Sequence, residues 1–411
     1  SDLKGFKPYK VTNNKIKAAI EMIQSLTGAG EHSIFDLSPA GVVIGNHFVT
    51  VLNNQLSVQA TSPTWYAIHR LDYQIPNSVL QYWANEDTGQ EPKRPSVFCD
   101  YFLCRSLERD PEEDELPLSV KNEIEAKITT IGEWLGLALL GLCTREATAL
   151  VLHGQGSNGK SVLTSLITDL FGAERTAHLP PQQMSERFSR AQLFGAAINV
   201  VSEMPESDLL ASDTLKAVIS GDKIEVEKKH QDPFSFVPRA AHVFAANSLP
   251  SSRDRSWGLW RRLVPIQFHR VFDKNDRDPE LKNKLIEESP QIVTWALNLA
   301  KNYLERGGYT HEDLINKWRN HWRQETDALS AFCAQCKIVD ISQGDELKSL
   351  WRSFRIWAEE VGNSGAAKMS MTQFARSITS QENVVKKRKG KQRKTYINLK
   401  YESQEPSGWT Q

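Results

Sequence analysis

Short apolar runs alternate with amphipathic segments between residues 147 and 270. The predicted strands are ATALVLH (147–153), AINVVSE (197–203), AAHVFAAN (240–247) and RLVPIQF (262–268). After the first strand, SVLTSLITDLFG (161–172) carries apolar residues at helical spacing and ends at Gly172, a residue type that commonly terminates helices. This alternation of strands and helices is typical of an α/β fold with a parallel sheet.

The segments before this region have two other patterns. Residues 41–60 contain short β-branched runs interrupted by Gly45-Asn46 and Asn53-Asn54, which predicts hairpin turns. Residues 76–146 carry apolar residues at three- and four-residue steps, which predicts a small helical unit.

The segments after residue 270 are predicted to be mainly helical. Residues 279–306 and 311–335 have the apolar spacing of helices. The tail, 340–400, has further helices followed by VVKKRKGKQRKTYINLKY (384–401), in which two β-branched runs flank a basic turn. Helices followed by such a hairpin suggest a winged-helix module.

Composition excludes a polycation but not a local basic site. The chain has 411 residues, which predicts about two to four domains. Lysine plus arginine and aspartate plus glutamate both total 50, yet KKRKGKQRK (386–394) has seven basic residues in nine, while ERDPEEDE (108–115) is acidic. Such a cluster can bind nucleic acid even in a neutral protein. The basic residues singled out are Lys387, Arg388, Lys389 and Lys391.

Cysteine content and hydropathy predict a cytoplasmic protein with no membrane partner. Five cysteines in this length do not make a disulfide framework. Cys333 and Cys336 form one C-x-x-C motif without a second pair at zinc spacing, so we interpret them as core positions one helical turn apart. No apolar run reaches the ~18 residues of a membrane span, and the N-terminus is not that of a signal peptide. The chain begins SDLKGF without methionine, which suggests a fragment of a longer protein.

A phosphate loop follows the first predicted strand. The sequence GQGSNGKS fits G-x-x-x-x-G-K-[ST], with a strand before it and a helix after it as the motif requires. In such a loop the backbone N–H groups cradle phosphates, Lys160 neutralises the β/γ oxygens and Ser161 ligates Mg²⁺. The predicted nucleotide-binding residues are Gly154, Gln155, Gly156, Ser157, Asn158, Gly159, Lys160 and Ser161.

Polar residues follow two of the other strands. Glu203 ends AINVVSE, where an acidic group can hold the Mg²⁺ shell and orient the attacking water. Asn247 ends AAHVFAAN, where an amide can position that water against the γ-phosphate. An exposed strand end or a turn residue is the competing interpretation, and it is the stronger one for Glu206.

Arg261 and Arg262 precede the strand LVPIQF in a segment rich in charge and tryptophan. An arginine at the edge of a subunit can reach the γ-phosphate of a neighbouring subunit, and such a finger raises the rate ~10³–10⁵-fold. A solvated or salt-bridged pair is the alternative.

A second hairpin is predicted from Gly221 onward. In GDKIEVEKKHQDPFSFV (221–237), two runs that alternate apolar and polar residues surround a polar tip. The residues at this tip are Lys228, Lys229 and His230. Side chains at this tip reach away from the fold, and a solvated tip is the competing interpretation.

The order and spacing of these pieces resemble the superfamily 3 helicases, a branch of the AAA+ ATPases. Within that branch the sequence is most similar to the phage- and plasmid-type primase-helicases, which are related to the poxvirus primase-helicase. The matching segments are GQGSNGKS, VVSE, LKAVISGDKIEVEKKH, FAANSLP and WRRLVPIQF.

The resemblance implies a hexameric ring that uses ATP and Mg²⁺ to translocate along DNA and unwind it, typically 3′ to 5′, in the cytoplasm of a bacterial host. Lys229 and His230 match the lysine and histidine of the family's pore hairpin, and Arg262 matches its arginine finger. A primase or polymerase is the further partner that the resemblance implies.

The resemblance also implies a fold class and four domains. The class is α/β, with an AAA+ P-loop ATPase core between a helical N-terminal unit and a C-terminal winged helix. The expected segments are an N-terminal region with short hairpins (1–75), a collar-like helical domain (76–146), the ATPase domain with a helical lid (147–310) and the winged-helix DNA-binding domain (311–411).

Two other classes of function stay open from the residues alone. A P-loop kinase would use SSRDRSWGLWRR (251–262) as an arginine-bearing lid, but it leaves the hairpin, the Asn247 strand and the basic tail unexplained. A DNA-binding initiator or loader would use ATP as an assembly switch without separating strands.

Overall fold

A computed structural model of the chain describes twelve segments of the sequence. They are residues 39–62, 69–84, 86–108, 116–204, 212–228, 232–247, 257–326, 328–361, 364–367, 369–379, 384–389 and 394–401. Within them, no helix is both long enough and apolar enough to cross a membrane.

The described strands are numbered in chain order. They are β1 Gly41–Ile44, β2 His47–Leu52, β3 Gln55–Ala60, β4 Arg70–Leu71, β5 Ala149–His153, β6 Thr176–Ala177, β7 Ile198–Met204, β8 Ile224–Val226, β9 Phe234–Phe236, β10 Ala241–Ala246, β11 Leu263–Gln267, β12 Lys337–Ile338, β13 Lys386–Lys389, β14 Lys394–Ile397 and β15 Leu399–Lys400.

The described α-helices are numbered in the same way. They are α1 Asn77–Trp83, α2 Cys104–Leu107, α3 Leu118–Leu139, α4 Lys160–Phe171, α5 Arg187–Arg190, α6 Ser212–Ile219, α7 Trp257–Trp260, α8 Leu281–Glu287, α9 Ser289–Arg306, α10 Glu312–Thr326, α11 Ala328–Gln335, α12 Leu347–Glu360, α13 Ser364–Ala367 and α14 Met371–Ile378. A π-helix, Val97–Leu103, runs directly into α2.

The N-terminal hairpins form where the sequence predicts them. A four-stranded sheet has the order β3-β2-β1-β4, and antiparallel pairs join β1 to β2 and β2 to β3. Gly45, Asn53 and Asn54 have φ values of 57°, 51° and 61°. These left-handed conformations suit the tight turns that connect twisted antiparallel strands, and glycine and asparagine adopt them most readily.

A parallel sheet with the strand order β11-β5-β10-β7-β6 lies at the centre of the fold. Every residue of β5 and β10 is buried, which explains why both strands read as continuous apolar runs. The structure thus confirms a mixed α/β fold with a parallel sheet. The sixth strand, β6, was not predicted, because two residues give too short a pattern.

The two faces of this sheet pack against different elements. Leu150 and Leu152 of β5 face a core that includes the N-terminal sheet, the helical unit of α1 to α3, helix α4 and helix α9. Ala149 and Val151 face a second core, which includes α6, α7 and the β8–β9 hairpin. The helical unit therefore shares its core with the sheet and is not a separate body.

Two of the predicted helices are divided in the structure. The segment 279–306 forms α8 and α9, and Pro290 lies in the first turn of α9, where its missing N–H breaks no helical hydrogen bond. The segment 311–335 forms α10 and α11. Helix α10 lies against the central sheet, where Arg319 Nε donates to the carbonyl of Leu263 at 2.8 Å.

A third core, from Leu329 to Leu399, belongs to the C-terminal elements α11 to α14, β14 and β15. Cys333 and Cys336 both pack against it, as predicted from their spacing, and burial raises the pKa of Cys336 to about 12. Strands β13 and β14 pair antiparallel, which confirms the predicted basic hairpin.

Three buried histidines lower the stability of the fold in acid. Burial lowers the pKa of His69 to about 4 and the pKa values of His153 and His242 to about 3. Each remains neutral in the native state between about pH 6.5 and pH 4, where the unfolded chain already takes up protons. The contribution of these histidines to the free energy of unfolding is therefore fully present above about pH 6.5 and falls toward pH 4, by about 1.4 kcal/mol per pH unit for each histidine.

His242→Phe tests this linkage. In β10 the imidazole lies 3.3 Å from Asn199 Nδ2 and packs beside Phe244, so a ring of similar size fits the site. Between pH 6.5 and 4, the free energy of unfolding measured in urea should fall by about 1.4 kcal/mol less per pH unit for the variant than for the parent protein. Equal pH dependence of the two proteins would show that His242 is not a source of the acid sensitivity.

Candidate nucleotide-binding site

The phosphate loop connects the buried strand β5 to helix α4, which begins at Lys160. Gly154 has a φ of 144°, and a Cβ there would overlap the carbonyl oxygen of Phe268. Gly159 has a φ of 97°, and a Cβ there would lie 2.6 Å from Ser106 Oγ. Both glycines are therefore required by conformation and by space, and the loop is a cradle that side chains would fill.

The Lys160 ammonium lies inside this loop. Its Nζ donates to the carbonyls of Gly154 at 2.6 Å and Gln155 at 3.0 Å, and to Asn158 Oδ1 at 3.0 Å. Asn158 Nδ2 in turn donates to the carbonyl of Phe268 at 3.3 Å. Burial lowers the pKa of Lys160, and the negative charge of Glu203 opposes that shift. The loop thus holds a cation that interacts electrostatically with the acid at the end of β7.

A cleft of about 880 Å³ opens at the carboxyl edge of the sheet. It brings together loop residues 156–161, Glu203 at the end of β7 and Asn247 after β10. Glu203 and Ser161 are exposed, and both carry hard oxygen atoms of the kind that Mg²⁺ prefers. The strand-end residues that the sequence singled out therefore lie around the phosphate loop. Glu206 lies outside the described residues.

Sequence reasoning missed a second wall of the cleft. Tyr101, Arg105 and Ser106 line it from the π-helix and α2, and Phe272 and Arg277 line it from the segment after β11. The helical pattern of 97–107 was recognised, but apolar spacing alone does not show which side chains meet a loop fifty residues later. Aromatic residues beside arginines were the one available signal.

Arg261 and Arg262 are not in this cleft. They line a separate cavity of about 380 Å³ together with Trp257 and Glu312. Arg262 Nε donates to Ser220 Oγ at 2.8 Å, and its Nη1 donates to the carbonyl of Gly258. Arg262 precedes β11, whereas the phosphate loop follows the parallel strand β5. The five residues of the strand, ~16 Å long, separate the amino ends of the parallel strands, where Arg262 lies, from their carboxyl ends, where the phosphate loop begins.

The β8–β9 hairpin confirms the predicted pattern, since Ile224 pairs with Phe236 and Val226 pairs with Phe234. Lys228 Nζ lies 5.0 Å from the ring of Phe194, which packs at 5.1 Å against Phe234. Lys229 and His230 lie outside the described residues.

Helix α5 adjoins this hairpin. The N–H of Glu227 donates to the carbonyl of Arg187 at 3.3 Å, and Arg187 forms an ion pair with Glu225 at 3.3 Å. Phe188 is 57% exposed between Arg187 and Arg190. The hairpin and α5 therefore form one exposed surface with basic and aromatic side chains, and α5 was not predicted.

The basic hairpin of the C-terminal unit carries Lys387 as an exposed residue of β13. Arg388 and Lys389 belong to the same strand, where they pair with Thr395 and Lys394. Lys391 lies outside the described residues.

Comparisons with known proteins give relatives for the central part of the chain. A family of unknown function, DUF5906, matches residues 152–262. "Putative helicase L207/L206" of Acanthamoeba polyphaga mimivirus is 24% identical over 251 residues, which cover 54% of this chain and 26% of the relative. "Putative helicase 121R" of Invertebrate iridescent virus 3 is 24% identical over 155 residues, which cover 35% of this chain and 16% of the relative. The chain thus spans about a quarter or less of the length of these relatives.

A solved structure also aligns over most of the chain. The apo structure of the NrS-1 C-terminal region aligns with a TM-score of 0.42 and 13% identity, over 91% of this chain and 97% of that one.

Gly154→Ala and Gly156→Ala test the geometry of the loop as a matched pair. The first introduces a Cβ into the Phe268 carbonyl at a positive φ, whereas the second places its Cβ in open space. We expect thermal unfolding to show a loss of about 1–3 kcal/mol for Gly154→Ala and a parent-like transition for Gly156→Ala. Equal unfolding of the two variants would contradict the close approach at Gly154.

Proposed function

We propose that the chain is the motor part of a superfamily 3 DNA helicase of the AAA+ class, from a phage or another mobile element. In this proposal a hexameric ring hydrolyses ATP at its subunit interfaces and moves along DNA. One observation carries the proposal: Lys160, Glu203 and Asn247 surround one cleft, whereas Arg262 lies at the opposite edge of the same sheet. A subunit with this division needs a neighbour to complete its site.

The residues of the cleft fit ATP with Mg²⁺. The glycine cradle leaves room for phosphates, Lys160 supplies the cation, and Ser161 with Glu203 would hold the metal ion. Asn247 would position the attacking water. ATP, when bound, supplies the phosphoanhydride bond whose hydrolysis releases the free energy for movement.

The position of Arg262 supports an arginine finger that acts on a neighbouring subunit. The ~16 Å between the two edges of the sheet exceeds the reach of an arginine side chain, so Arg262 cannot serve the loop of its own chain. Ser220 and the Gly258 carbonyl orient its guanidinium in the second cavity. Arg261, which is exposed beside it, is the second candidate on this surface.

Two exposed surfaces supply the contacts with DNA in this proposal. The first is the β8–β9 hairpin with α5, where Lys228, Arg187 and the exposed ring of Phe188 offer phosphate contacts and a stacking face. Lys229 and His230 would extend this surface into the channel of the ring. The second is the basic β13–β14 hairpin, the wing of a winged helix, which would contact duplex phosphates through Lys387 and its basic neighbours.

An ATP-switched initiator or loader remains the second candidate, because the same ring and DNA surfaces would serve it without unwinding. A kinase with a lid at 251–262 would need arginines of that segment in the cleft, whereas Arg261 and Arg262 line the other cavity.

Unwinding of a forked duplex tests the proposal directly. The parent protein should separate the strands with ATP, whereas Lys160→Ala should reduce both hydrolysis and unwinding to background because the cation on the phosphates is gone. Glu203→Gln should still bind ATP and should hydrolyse it ~10²-fold more slowly or worse. ATP-dependent DNA binding without strand separation by the parent protein would instead favour the initiator.

Mixing two inactive variants tests the finger. Arg262→Ala keeps an intact phosphate loop, and Lys160→Ala keeps an intact finger. In an equal mixture about a quarter of the interfaces of a head-to-tail ring should combine an intact loop with an intact finger and recover hydrolysis. Phosphate release is the measurement, with each variant alone as the control. A mixture as inactive as either variant would count against action between subunits.

A further inference from the structure

The nucleotide cleft extends beyond the phosphate loop to a cluster of rings and planar cations. The Arg105 guanidinium lies 5.0 Å from the centre of the Tyr101 ring and 5.6 Å from that of Phe272. Arg270 lies 5.2 Å from the Phe272 ring. Aromatic faces and guanidinium planes are the chemistry on which nucleobases stack.

A buried hydroxyl beside this cluster independently indicates a ligand. Ser106 is fully buried and lines the cleft, yet its Oγ has no hydrogen-bond partner among the described residues. A buried hydroxyl without a partner costs stability unless a ligand completes its hydrogen bond. Ser106 Oγ lies 2.6 Å from the position that a Cβ on Gly159 would take, so this ligand would also contact the loop.

The ring cluster is tied to the phosphate loop by hydrogen bonds. The N–H of Phe272 donates to the carbonyl of Ser157 at 2.8 Å, and Arg277 Nη2 donates to Ser157 Oγ at 3.1 Å. The cluster and the loop therefore keep a fixed separation within a cleft of about 880 Å³, which is large enough for a nucleoside triphosphate.

We propose that Tyr101, Arg105 and Phe272 form the stacking site for the base of the nucleotide whose phosphates the loop binds, and that Ser106 hydrogen-bonds to the same nucleotide. This rests on the proposed function only in that a nucleoside triphosphate occupies the loop. Stacking strength grows with the area of the ring system, so the cluster selects a purine over a pyrimidine.

Binding of three ligands separates the base site from the phosphate site. Titration calorimetry with Mg²⁺ would compare ATP, CTP and inorganic tripolyphosphate, which has the phosphates but no base. The parent protein should bind ATP most tightly, then CTP, then tripolyphosphate. Phe272→Ala should weaken ATP binding about 10- to 100-fold and leave tripolyphosphate binding unchanged, while Phe272→Tyr, which keeps the ring, should retain the affinity for ATP.

Ser106→Ala separates a role in binding from a role in folding. Because the hydroxyl has no hydrogen-bond partner within the described part of the chain, the variant should unfold at the same or a higher temperature than the parent protein. It should nevertheless bind ATP about five-fold more weakly. A lower unfolding temperature with unchanged ATP affinity would overturn the assignment of Ser106.

The other outcomes are equally distinct. Equal weakening of ATP and tripolyphosphate by Phe272→Ala would make Phe272 a support of the loop and overturn the base site. Equal affinities for ATP and CTP would overturn the purine preference. Lys160→Ala should weaken the binding of all three ligands. Parent-like binding by that variant would contradict the assignment of the phosphate loop, and with it the proposed function.

Discussion

The backbone of Phe268 holds the candidate site together. Its N–H donates to the carbonyl of His153 at 2.7 Å, and its own carbonyl accepts from Asn158 and packs against Gly154. These contacts join the end of β11 to the end of β5 at the point where the phosphate loop begins. The shape of the loop, the position of Lys160 within it and the path of residues 269–282 over the cleft all depend on this junction.

The junction also connects the helical unit to the site. The carbonyl of Ser106 accepts from the N–H of His269 at 3.2 Å, immediately after Phe268. The π-helix and α2 share one apolar core with β5 and α4, so their side chains keep a fixed position relative to the loop. A segment that the sequence presents as a separate helical domain thus forms one wall of the cleft.

The sequence was sufficient where function imposes a local pattern. The loop glycines, the strand ends at Glu203 and Asn247, and the hairpins follow from spacing and turn chemistry, and the structure brings the first two groups together. Contacts between distant segments were not predictable in this way. Tyr101, Ser106 and Phe272 meet through tertiary packing, β6 is too short for a periodic signal, and only Pro290 hints that residues 279–306 form two helices.

The Phe268 junction has an evolutionary consequence. Phe268 makes both of these hydrogen bonds with its own main-chain atoms. Its side chain is buried in the core and contributes only its volume there. Any apolar residue of suitable size could replace it without altering the loop, whereas no residue with a side chain fits opposite it at Gly154. One partner of this contact is therefore free to drift among descendants and the other is not. An alignment of homologous sequences would therefore show an invariant glycine at position 154 and varying apolar residues at position 268.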